Sequence, residues 1–153
     1  MNTIRFFPNK TAAGSLRDRA TLSRKLRFTV PYTSPEAACA ALRAVARLAG
    51  DLSAAVDLVA VQVIPIVCPL RPDSRTAYLN EQLGRIASES HVPVWPTVIL
   101  TRDLDFAFRR LLPLGSLVLI AVPTSGLQRW IGGEATLARR LKRAGHDVLL
   151  ARS

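Results

Sequence analysis

The chain has 153 residues, 49% of them hydrophobic and 21% charged, with a formal net charge of +10. That length suits one domain that buries roughly 68–70% of its unfolded surface, so no disulfide or metal staple is needed. The composition excludes a disordered polymer, and no run reaches the about 18 consecutive apolar residues of a membrane helix.

Residues 1–25 read as a basic, flexible N-terminal arm ahead of a domain over residues 26–153. Residues 1–27 carry Arg5, Lys10, Arg17, Arg19, Arg24, Lys25 and Arg27 against Asp18 alone. Two readings of the arm stay open: a solvated tail, or an electrostatic attachment to nucleic acid or an anionic membrane. The opening residues lack the continuous apolar core of a secretory signal, so a cytoplasmic protein is expected.

The first predicted strand is Leu26 to Thr33, with Phe28 and Val30 on one face. Ser34-Pro35-Glu36 then starts a helix, since Ser caps free amides, Pro suits the first helical position, and Glu meets the positive dipole end. That helix runs to about Ala49, with Ala38, Leu42, Val45 and Ala49 inward and Arg43 and Arg47 outward; Gly50 stops it.

Val56 to Ile66 is nearly all apolar, as a strand covered on both faces should be. Asp73 or Ser74 opens a second helix that buries Leu79, Leu83 and Ile86. The third strand, Val92 to Leu100, contains Pro93 and Pro96, which places it at a sheet edge because proline cannot donate to a ladder.

A third helix begins near Thr101 to Asp103, with Leu104, Ala107, Phe108 and Leu111 inward. Leu117 to Val122 is the fourth strand. The last helix runs through Ala144 to a stop at Gly145, and Asp147 to Ala151 is the final strand. Strict alternation of strands and helices implies an α/β fold: a single doubly wound, five-stranded parallel sheet with helices on both faces, Rossmann-like. Order 3-2-1-4-5 puts the proline-bearing strand outermost.

In such sheets ligands sit at the carboxyl ends of the strands where the winding reverses, here between the first and fourth strands. Tyr32, Thr33 and Ser34 converge there with Thr124, Ser125, Gly126, Arg129, Gly132 and Gly133. Glycines before a helix let backbone amides approach an anion, while Gly-Gly also forms a plain turn.

Cys39 and Cys68 stand among apolar neighbours and read as reduced, buried side chains, with a disulfide or redox role as the alternative. His91 and His146 precede predicted strands, where turn or cap roles fit. Arg139, Arg140, Lys142 and Arg143 gather at the negative end of the last helix, as a dipole-matched solvated face or an anion-binding patch. No P-loop, nucleophile elbow, HExxH or GxGxxG occurs, so no catalytic residue is assigned and no metal site is expected.

The order of elements, with FTVPYTSPEAACAALRAVARLAG near the start and SLVLIAVPTSGLQRWIGGEATLARRLKRAGHDVLLA at the end, resembles universal stress proteins over about residues 26–152. The resemblance implies the same sheet order, dimerisation through the last strand, and a stress-response role. It also implies ATP or another adenine nucleotide in the binding subset, held by an acidic residue after the first strand and a Gly-x2-Gly-x9-Gly-Ser/Thr loop after the fourth. Here Pro31 or Tyr32 takes the acidic position, Ala121 and Thr124 replace the first two glycines, Gly132 matches the third, and Gly133 replaces Ser or Thr. Each added Cβ stands where backbone should meet phosphate, so the implied nucleotide site is weakened or altered.

The leading expectation is a non-enzymatic regulatory or ligand-sensing homodimer with an unidentified regulatory partner. The first alternative is a module that binds nucleic acid or anionic membrane through the arm and the last helix. The second is a nucleotide-dependent enzyme of a related α/β fold, although HxGH and SGGxDS are absent.

Overall fold

The computed structural model describes residues 3–6, 26–50, 52–110, 112, 117–122 and 133–152. Their elements run β1 (Thr3–Phe6), β2 (Leu26–Pro31), α1 (Pro35–Ala49), β3 (Ala54–Val63), α2 (Ser74–Glu89), β4 (Val94–Thr101), α3 (Leu104–Arg110), β5 (Leu117–Val122), α4 (Gly133–Arg143) and β6 (Asp147–Arg152).

Local chemistry places the helix ends. Ser34 Oγ accepts the Ala37 amide at 3.2 Å, Pro35 is the first helical residue, and Gly50 leaves α1 at φ 51°. Ala38, Leu42, Val45 and Ala49 are all buried, so the expected stripe is the packed face. Burial of Leu42 or Val45 contributes about 1.5–3 kcal/mol each.

The sheet order is β1-β4-β3-β2-β5-β6. Strands β2 to β6 are parallel neighbours, in the expected order 3-2-1-4-5 of a doubly wound, Rossmann-like sheet. One apolar cluster joins α1 and α2 to the face that carries Phe28, Val56, Leu58 and Leu119. A second joins α3 and α4 to the face that carries Val59, Ile99, Val118 and Ile120.

Three expectations need correction. The proline-bearing strand is not the sheet edge, because β1 pairs antiparallel with it from Thr3↔Thr101 to Phe6↔Val98. That ladder stops short of Pro96, and Pro93 precedes the strand, so neither proline has to donate to β1. The second strand spans Ala54–Val63 rather than Val56 to Ile66. Ala54 and Ala55 are recruited by pairing with Leu26 and Arg27, and Ile66 and Val67 are 84% and 91% exposed beyond Pro65. Cys39 is half-buried and Cys68 exposed, both as free thiols; Cys68 falls in the turn after the strand, where apolar neighbours do not imply burial. Leu111, expected inward, lies outside the described residues, and Leu112 is buried. Among the described residues, no helix is long and apolar enough to cross a membrane.

Candidate ligand-binding crevice

The winding reverses between β2 and β5, which pair directly and continue outward to β3 and β6. Their ladder is short, comprising only Phe28↔Leu117 and Thr29↔Val118. On its other edge β2 stays paired with β3 to Pro31↔Val59, and the Tyr32 amide donates to the Val59 carbonyl at 2.8 Å. Strand β5 stays paired with β6 to Val122↔Arg152. Each strand therefore keeps its outer partner beyond the point where the ladder they share ends, and Pro31 has no N–H to extend that ladder. The carboxyl end of this pair is the switch-point notch in which doubly wound sheets take ligands.

Tyr32 is half-buried and packs against the α1/α2 side of the core. Burial pushes its phenol above the ordinary value, and nearby Tyr78, Glu36 and Cys39 add to the shift because each is or becomes negative. Tyr32 is thus a neutral phenol at the rim. Thr33 is exposed at the rim. Ser34 is committed to the α1 cap, its hydroxyl held by Ala37 and its carbonyl accepting the Ala38 amide at 3.0 Å.

On the other side of the notch, Gly133 is the exposed first residue of α4, and a Cβ built there meets nothing within 4 Å. Thr124, Ser125, Gly126, Arg129 and Gly132 lie outside the described residues. The described part of the site is therefore the rim Tyr32–Thr33–Ser34, the end of β5, and the start of α4. Helices α1 and α4 begin at this rim from opposite faces of the sheet, so two positive dipole ends flank it.

A buttress beside the rim was not foreseen. Gln62, 4% exposed in β3, donates through Nε2 to the Asp73 carboxylate at 3.2 and 3.3 Å, while Thr76 Oγ1 lies 3.0 Å from Gln62 Oε1. The Arg102 guanidinium donates to the carbonyls of Pro65 and Cys68 at 2.8 and 3.0 Å, pinning the β3–α2 loop to the exit of β4. The available signal was Gln62 itself, a lone amide inside an apolar run. Asp103 caps the start of α3: its carboxylate accepts the Asp105 and Phe106 amides at 2.9 and 3.1 Å.

The chain matches no protein-family model and no curated protein sequence. Among solved structures it is similar to a universal stress protein crystallised in complex with cAMP. Identity is 16% and the TM-score 0.49, over 84% of this chain and 97% of that one.

Proposed function

We propose that this chain is a non-enzymatic regulatory or ligand-sensing protein of the universal-stress type, taking an adenine nucleotide or related anion in the notch between β2 and β5. The observation that carries the reading is the reversal of winding at the β2–β5 pair, whose shared ladder ends at Thr29↔Val118 while each strand remains paired on its outer edge. A switch point flanked by two helix N-termini suits an anionic ligand. The described rim favours binding over chemistry, because Ser34 is used as a cap and Tyr32 is held neutral.

The reading includes a homodimer through β6, the outermost parallel strand, whose Leu149 and Leu150 are 40% and 58% exposed.

Thermal-shift and calorimetric titration of the full chain with ATP, ADP, AMP and cyclic AMP tests the site. At least one nucleotide is expected to raise the melting temperature, with about 2.7 kcal/mol of added stability at a hundred times its Kd. A folded protein that none of the four stabilises overturns the reading.

A further inference from the structure

Helices α3 and α4 pack side by side on one sheet face, burying Ala107, Phe108, Ala138 and Leu141 in a common cluster. Both run antiparallel to the strands, so their C-terminal ends come to the same edge of the molecule. A buried clasp joins those ends. His146, 4% exposed and three residues beyond α4, donates its Nε2 proton to the Phe108 carbonyl at 2.7 Å, and its backbone amide donates to Leu141 at 3.1 Å. The acceptor is a carbonyl, so the proton resides on Nε2.

The clasp brings two basic segments together: Arg109 and Arg110 close α3, and Arg140, Lys142 and Arg143 line the last turn of α4, with Arg139 just before it. All six side chains are exposed, and none has an ion-pair or hydrogen-bond partner among the described residues. The acids near the cluster are few: Asp105 lies one turn before Arg109, Asp147 follows α4, and Glu134 sits in the first turn of α4. Matching a cation to one helix dipole stabilises that end by about 0.3–1 kcal/mol. It does not require two such ends to meet, where their cations repel one another.

One further side chain indicates what neutralises them. Phe106 is 44% exposed, four residues before Arg110 on α3. It is the one large apolar side chain exposed on either helix, which is too little area to anchor in lipid. A lone aromatic beside arginines instead offers a stacking platform for an unpaired base, with the cations on its phosphates. We infer that the joined C-terminal ends of α3 and α4 form a binding surface for single-stranded nucleic acid.

The test is fluorescence anisotropy of the full chain with a labelled oligothymidylate over a salt series. Contact by most of the six cations gives a slope of log K against log salt of about −3 to −4. The double variant Arg109→Ala/Arg110→Ala is expected to bind about tenfold or more weakly, with a slope smaller by about 1 to 1.5. Phe106→Ala is expected to lose about fivefold or more at unchanged slope, since stacking releases no counterions. The control Arg43→Ala/Arg47→Ala, on α1 at the opposite face, binds as the parent does. Equal losses from the control and from the Arg109/Arg110 variant overturn the inference in favour of net charge alone. Complete loss on changing Arg17, Arg19, Arg24 and Lys25 to Gln, with α3 and α4 intact, overturns it in favour of the arm. Binding to phosphatidylserine-containing vesicles without binding to the oligonucleotide overturns it in favour of a membrane.

Discussion

Gln62, Asp73 and Thr76 form the densest polar group among the described residues, and each spends its hydrogen-bonding capacity on the others. Asp73 Oδ1 caps α2 by accepting the Thr76 amide at 2.8 Å, and the Asp73 amide donates to Thr76 Oγ1 at 3.2 Å. The Thr76 hydroxyl proton lies within reach of both Gln62 Oε1 and Asp73 Oδ1. These donors hold the Asp73 carboxyl below its ordinary value, with the Thr76 backbone amide the largest cause and the Gln62 side chain next. Thr76→Val keeps the shape of a fully buried side chain but strands Gln62 Oε1 and the Asp73 amide. The expected cost is about 1–3 kcal/mol in denaturant unfolding. A lowered folded pKa stabilises above the unfolded carboxylate value and is lost as pH falls through the folded one. The gap between parent and variant should therefore be widest near neutrality and shrink below about pH 4. An equal gap at both pH values would locate the loss in packing instead. Aspartate-x-x-threonine before a helix was legible as a cap; its link to Gln62, eleven residues back in another element, was not.

Among the elements, two glycines separate backbone demand from space. Gly145 ends α4 at φ 91°, in the left-handed region, and a Cβ there meets nothing within 4 Å. Gly145→Ala should cost about 1–2 kcal/mol through backbone strain alone. Gly133 opens the same helix in equally open space and without a positive φ. Gly133→Ala should stabilise by about 0.4–1 kcal/mol by restricting the unfolded chain. Chemical denaturation of the pair checks both signs, and a destabilised Gly133→Ala would mean that its backbone is needed bare. The helix starts at Pro35 and Ser74 and the stops at Gly50 and Gly145 were readable because capping is written within four residues of each end. Strand limits were less so. Ala54 and Ala55 join β3 only because Leu26 and Arg27 lie opposite them.

For the molecule as a whole, the two outer strands differ. Strand β1 covers part of β4, whereas β6 closes the other side with one hydrogen-bonding edge unpaired among the described residues. An open edge with exposed leucines invites pairing with a second copy across a two-fold axis. Sedimentation velocity should give a dimer, and Leu150→Arg, at a 58% exposed position, should give a monomer of unchanged helix content. A parent protein that stays monomeric at tens of micromolar removes the dimer from the proposed function.

The sequence by itself determined the alternation of strands and helices, their buried stripes and their caps, and with them a doubly wound parallel sheet. All are carried by neighbours a few residues apart and by the tendency of parallel crossovers to be right-handed. Tertiary structure alone decided that residues Thr3–Phe6 pair antiparallel with β4, that the β2–β5 ladder ends at Thr29↔Val118, and that the end of α3 is tied to the residues after α4. Each of those depends on a ladder or contact between segments at least 38 residues apart (the separation of His146 and Phe108). No local periodicity encodes such a partner, because many pairings satisfy the same apolar pattern until the whole sheet is assembled.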